Sequence, residues 1–303
     1  MATIVTHGAD DVRGVGERAP SARTAQWTLK HLVATMIRRV RESGGRVDGG
    51  TVDRGGVGAD GIDERRGTHD GYPIRNSLLI CGVVGVLLVI NLLAHFGGHW
   101  VGMLAVPLGA VGLAVAANRS GLAWSEMGVS VSELKYGFRW SAIVLVAVVV
   151  VVAVAVAIPT TRTLFLNDRY SSARDALLAA VVWIPLQTVL PEELLFRGVL
   201  QGSLRRSLSR RATLLVGAGL FGLWHIMSSL GLSAGNAGVT GAIGAGMGAA
   251  VAGVVGAVVA TTAAGWILGW LRFRTANLLA PIVLHWTLNA SGALGAALAW
   301  HLL

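Results

Sequence analysis

The sequence predicts an all-α, polytopic transmembrane bundle of seven spans, or eight, on three observations. The 303 residues are 53% hydrophobic with a mean hydropathy of +0.63, too apolar for an ordinary water-soluble domain. Acidic and basic residues are absent from 76–118, 140–161, 212–271 and 275–303, and about 20 apolar residues suffice to cross the hydrocarbon core as a helix. The remaining charge lies in the 1–76 stretch and, apart from Glu192, Glu193 and Arg197, in short connections between the apolar segments.

Taken in order, helices are expected near 78–96, 98–117, 141–158, 176–201, 213–230, 241–271 and 277–300. The sixth would be about 46 Å long at ~1.5 Å per residue. It must tilt, protrude or break, and a break would raise the count to eight. The domain plan is a tail over 1–76 and a transmembrane domain over 77–303. Residues 1–25 hold no apolar core segment, so no cleavable signal peptide is expected. From Trp27 to Val40, Leu29, Leu32, Val33, Met36, Ile37 and Val40 share one helical face, with Lys30, Arg38 and Arg39 off it. That pattern suits a helix lying on an anionic leaflet. Residues 44–71 contain ten glycines among mixed charges and read as a flexible linker.

The net charge of +9 follows topology rather than nucleic acid. Loops 118–139, 202–212 and 272–276 carry Arg119, Lys135, Arg139, Arg205, Arg206, Arg210, Arg211, Arg272 and Arg274. The 159–175 loop has only Arg162, Arg169 and Arg174. Counting the tail, 21 Lys/Arg fall on one side against three on the other, with Arg197 set aside within its helix. The positive-inside rule then puts the tail and the basic loops in the cytoplasm, in a plasma membrane of bacterial style. The 118–139 loop also holds Trp124, Met127, Val129, Val131 and Leu134, enough for a short interfacial helix. Gly244 and Gly248, then Gly265 and Gly269, have the four-residue spacing that lets membrane helices approach closely. The single cysteine, Cys81, precludes an intrachain disulfide.

Within this apolar frame a few polar residues lie at depth, where an ionisable group costs a few kcal/mol or more. Glu192 and Glu193 fall inside the fourth span, His225 in the fifth, and His285 with Asn289 in the last. Glu193 and Arg197 are four apart with the acid first, the favoured helical ion-pair order. Glu192 points about 100° away and has no local cation, which makes it the better general base. Glu192 precedes Arg205 by 13 residues and His225 follows Arg211 by 14, so both lie roughly 20 Å from their shared turn. His285 and Asn289 lie 11 and 15 residues beyond Arg274, on one helical face, with N–H donors suited to an oxyanion. Glu192, His225 and His285 could instead form a zinc-binding trio. The signature His-Glu-x-x-His is absent, because Ile226 and Met227 follow His225. Gly231-Leu232-Ser233-Ala234-Gly235 matches a nucleophile-elbow string but lacks the strand-to-helix context that gives it meaning.

Three of these segments read Glu192-Glu193-x-x-x-Arg197, Phe221-x-x-x-His225 and His285-x-x-x-Asn289. In that order they resemble the CAAX-processing and bacteriocin-processing family of intramembrane glutamic endopeptidases, related to the enzymes that trim prenylated proteins. The resemblance covers roughly 118–300. It implies that Glu192 and His225 activate water, that His285 and Asn289 stabilise the oxyanion, and that Glu193, Arg197 and Phe221 support them. No cofactor is required by that mechanism; zinc is the alternative. The expected partners are a peptide or protein substrate at the membrane and the lipid bilayer, with cleavage near the cytoplasmic face. Two rival functions use the same residues: a non-catalytic immunity or scaffold protein with the polar trio as structural glue, and a transporter with a Glu192–His225 proton relay. No clear inverted repeat supports the transporter.

Overall fold

A computed structural model describes residues 72–130, 134–230 and 246–303, with positions 241 and 244. Every described element lies within the unit Arg66–Leu303. The amphipathic segment 27–40, the linker 44–71 and the Gly231–Gly235 string lie outside the described residues.

Seven principal helices follow one another, with no strand among the described residues: α1 (Tyr72–Phe96), α2 (Gly98–Arg119), α3 (Leu134–Ala157), α4 (Ala173–Arg205), α5 (Arg210–Trp224), α6 (Met247–Thr275) and α7 (Leu279–His301). Six of them, all but α5, are long and apolar enough to cross a membrane, α1 from Asn76 onward. The span expected over 213–230 is instead a 15-residue helix, about 22 Å long against a hydrocarbon core of ~30 Å. At His225 (φ −85°, ψ 0°) the helix breaks, and Ile226–Ser229 makes one further turn. The His225 N–H bonds back three residues to the Gly222 carbonyl, the tightened hydrogen bond of a helix end. Hydropathy registers a continuous apolar run here and is blind to the break. The start expected at 241 for the sixth span falls at Met247.

Apolar residues on α1 and α3, such as Leu88, Val150 and Val151, are exposed, as lipid-facing helices require. The interior is built around the second half of α4, where Leu195–Leu204 are buried without interruption. Phe196, Val199, Leu200 and Leu204 pack in one cluster with Phe221 of α5, Leu268 and Leu271 of α6, and Leu284 of α7. Gly222 lets α5 touch α6: a Cβ there would collide with the Thr262 hydroxyl and lie 2.9 Å from the Val258 carbonyl oxygen. Gly265 and Gly269 are also closely packed, against Phe221 and Leu214. The expectation fails for the other glycine pair, since Gly248 faces open space and Gly244 lies ahead of the helix.

The 120–130 loop forms turns rather than the expected interfacial helix. Its apolar residues are divided: Leu122 and Met127 are fully buried in the core, while Trp124 and Val129 stay exposed. Arg206 grips the Glu126 carboxylate (Nε–Oε1 2.9 Å) and the Gly121 carbonyl. Arg272 donates to the Glu126 carbonyl (2.9 Å), and the Leu278 N–H to that of Gly128. Gly128 has φ +78°, and any Cβ there would run into the Arg272 guanidinium. The three basic loops therefore share one end of the bundle. At the other end, Arg162 donates to the Leu302 carbonyl (3.2 Å) and Trp300 to that of Asn167 (3.3 Å), which ties the 159–172 segment to the end of α7.

Candidate active site

The site is built on α4 where its winding is abnormal. Ala179–Val189 and Leu194–Leu200 are wound as π-helix, on either side of one α-helical turn, Leu190–Glu193. The Leu190 N–H bonds to the Pro185 carbonyl and that of Gln201 to Phe196, both five residues back. Pro185 and Pro191 supply no N–H of their own, and π segments recur at functional positions in helices. Glu192 and Glu193 are buried on the intervening turn.

Their surroundings separate them. Glu193 Oε1 accepts from Arg197 Nη1 at 3.0 Å and from His285 Nδ1 at 2.8 Å. Arg197 is buried, reaches the Gly265 carbonyl at 3.4 Å, and stands 4.0 Å over the Phe221 ring. Desolvation, the ion pair and the ring face make Arg197 a fixed counter-ion for Glu193. Glu192 has only the Trp224 indole N–H on Oε1, at 3.0 Å; its Oε2 is buried without a hydrogen-bond partner, 3.9 Å from His285 Nε2. His285 thus stands between the two carboxylates, one at each ring nitrogen.

His225 sits at the break after α5. Its Nδ1 lies 2.8 Å from the Phe221 carbonyl oxygen. A carbonyl only accepts, so Nδ1 carries a proton and the neutral ring keeps Nε2 as acceptor. The Phe221 ring touches both histidines, with centroids 4.7 Å from His225 and 5.9 Å from His285. It also meets Phe196 at 5.0 Å. Phe221 is therefore a hub that holds α5 against α4 and α7. Asn289, one turn beyond His285 on α7, lines a cavity of about 400 Å³ with Asn167, Tyr170 and Thr188.

The structure brings Glu192, Glu193, Arg197, Phe221 and His285 into one contact network, with His225 at its edge against Phe221 and Asn289 in the neighbouring cavity. Two contacts escaped the sequence reading. The Glu193–His285 bond joins residues 92 positions apart, beyond the reach of local spacing. The Trp224–Glu192 bond had a signal, because a buried indole N–H needs an acceptor. Among the described residues, no group of three or more His, Cys, Asp or Glu converges as a metal ion would need. The Glu193 bond engages Nδ1 of His285 and leaves Nε2 of that ring turned toward Glu192.

Buried carboxylates and an imidazole, enclosed by helices of membrane-spanning length, define an integral membrane protein with a buried polar cluster. Residues 174–291 match the family described as type II CAAX prenyl endopeptidase Rce1-like. That match covers the segment that carries the three motifs, and it spans every candidate site residue from Glu192 to Asn289. No curated protein and no solved structure matches the chain.

Proposed function

We propose that the protein is an intramembrane endopeptidase in which Glu192 is the general base. The observation that carries this reading is the free Oε2 of Glu192, buried and turned toward His285 Nε2 inside the family-matched segment. Glu192 takes a proton from water as the hydroxide oxygen adds to the peptide carbonyl carbon. The carbonyl π electrons move to oxygen, giving a tetrahedral oxyanion. His285 Nε2 donates to that oxyanion when both ring nitrogens carry protons, with the flanking carboxylates as countercharge. The Asn289 amide N–H is the second donor. Collapse breaks the C–N bond, and the proton held by Glu192 passes to the leaving amine. His225, with Nδ1 fixed by the Phe221 carbonyl, assists as acceptor at Nε2. Glu193 and Arg197 orient His285 and balance charge. The substrate is a peptide or protein segment at the membrane.

A purely structural polar cluster would have every buried group satisfied, since an unmade hydrogen bond costs about 1–3 kcal/mol. That standard is missed at Oε2 of both Glu192 and Glu193; what separates them is Oε1, which in Glu193 is held by Arg197 and His285 and in Glu192 receives only the Trp224 indole N–H. The deciding experiment is Glu192→Gln, which preserves shape and removes the base. Proteolytic fragments that distinguish wild-type membranes from membranes lacking the protein should fall by ~10²-fold or more, with yield and thermal stability retained. Fragments persisting at wild-type levels would eliminate the glutamate mechanism.

A further inference from the structure

A buried amide on α1, that of Asn91, has no part in the chemistry above. We infer that Asn91 and Trp224 are positioning residues for Glu192: Asn91 anchors the end of α5, and that anchor aims the Trp224 indole N–H at the carboxylate. This rests on the peptidase reading above and adds to it a contribution from α1, which lies outside the matched segment 174–291.

Asn91 is 6% exposed on a helix of membrane-spanning length, where an amide without a hydrogen-bond partner is costly. Its Nδ2 donates to the Trp224 carbonyl at 2.8 Å, across 133 residues of sequence. Trp224 is the last residue of α5, and carbonyls in the final turn of a helix lack intrahelical partners. One bond therefore serves both a buried amide and a helix end, and it pins that end to α1. The same tryptophan turns its side chain to the site, where the indole N–H donates to Glu192 Oε1 at 3.0 Å. Asn91, Trp224 and Glu192 thus form a chain of two hydrogen bonds that crosses α1, α5 and α4.

Packing alone does not fix the indole. Phe196 meets it edge-on, with ring centroids 5.4 Å apart. The ring is nevertheless only half-buried, and it borders an apolar cavity of about 350 Å³ that Asn91 also lines. A ring beside open volume can swing unless its backbone and its N–H are both held. At Glu192, a donor fixed on Oε1 restrains rotation of the carboxyl group. Oε2 is then the oxygen presented to His285 Nε2, 3.9 Å away. Trp224 also immediately precedes His225, where the α5 backbone breaks. One bond from α1 thereby sets both groups assigned to water activation, while Asn91 itself acts through Trp224.

The test uses full-length protein carrying tryptophan with an NMR-active nitrogen isotope, so that each indole N–H gives its own resonance. Trp224 is identified as the signal missing from Trp224→Phe. Glu192→Gln should shift that signal, because a hydrogen bond to a charged acceptor is shorter and stronger than one to a neutral amide. Asn91→Leu should shift it as well, although Asn91 is not bonded to the indole. It should also lower the Glu192-dependent fragments by ~10-fold or more, since a misplacement of about 1 Å can cost about 10²-fold in rate. Asn91→Ser gives a second reading should Asn91→Leu fold poorly, because a serine hydroxyl within a helix bonds to its own i−4 carbonyl. Ile90→Ala controls for loosened packing: Ile90 is next to Asn91 but packs on Gly109 of α2. It should leave the Trp224 signal and the fragments unchanged, even where its melting temperature falls as far as that of Asn91→Leu. A Trp224 signal unmoved in both Asn91 variants overturns the anchor. A moved signal with fragments at wild-type levels overturns the positioning role. If no fragment depends on Glu192 while Asn91→Leu and Glu192→Gln both move the signal, the chain of bonds stands and the peptidase reading fails.

Discussion

Glu192 and Glu193 are adjacent in sequence and opposite in circumstance. Glu193 is held through Oε1 by Arg197 and His285, whereas Glu192 takes only the Trp224 indole N–H; Oε2 is unpartnered in both. The Arg197 contact was legible, since four-residue spacing with the acid first is a local rule. The His285 contact was not, because it depends on how α7 packs against α4. A double-substitution cycle measures the pair. Glu193→Gln or Arg197→Met should each cost about 3–5 kcal/mol by stranding a buried charge, read as thermal stability in detergent, and the double substitution should recover part of the loss. Additive losses would mean that the two side chains do not stabilise each other. Glu193→Gln should also lower turnover more than Arg197→Met does, because only Glu193 holds the His285 ring.

At the scale of the element, α5 carries the largest departure from expectation. The charge-free run 212–271 contains a helix that stops at Trp224, a one-turn continuation, and a fresh helix from Met247. Hydropathy averages over such breaks, whereas they are made by backbone hydrogen bonds at single residues. The π-helical winding of α4 was equally invisible, since its side-chain composition is that of an ordinary apolar helix. What could be read were the long spans themselves and the close-packing glycines Gly265 and Gly269. Gly222 was not singled out, although it has the tightest contact with α6. Gly222→Ala should cost about 1–3 kcal/mol through overpacking, seen as a lowered melting temperature, and Thr262→Ala should relieve it in part. An unchanged melting temperature would mean that α5 and α6 are not in that contact.

For the whole molecule, the clasp of Glu126 and Arg206 joins the α2–α3 connection to the end of α4. The Arg206 hydrogen bond holds the Glu126 carboxyl below its ordinary value, with help from the Ala123 N–H and against partial burial. Glu126 raises the Arg206 guanidinium in return. Because the folded value of Glu126 is depressed, its contribution is complete above the ordinary glutamate value of about 4.3. It is lost as pH falls through the folded value. Glu126→Gln should therefore lower the melting temperature at neutral pH, with the difference from wild type shrinking as the medium is acidified below that range. A constant difference at every pH would rule out the ionised pair as its source. The membrane class, the order of spans and the grouping of basic loops at one end were all open to sequence reasoning, because they follow from composition and charge. The clasp was not, since Glu126 gave no periodic signal.

The Glu193–Arg197 pair has a further consequence for how the chain is made. Its two members lie on one helix and are translated within a single turn, whereas His285 follows Glu193 by 92 residues. At about 5–20 residues per second, that interval is on the order of 5–20 s. During it α4 carries its acids without its histidine. The internal ion pair lets the nascent segment present one net negative charge to lipid instead of three separate ions, a lower barrier to lateral release. Glu192 is the charge left over. The residue assigned here to catalysis is thus also the one that makes α4 a reluctant membrane segment until α5 supplies Trp224 and α7 supplies His285.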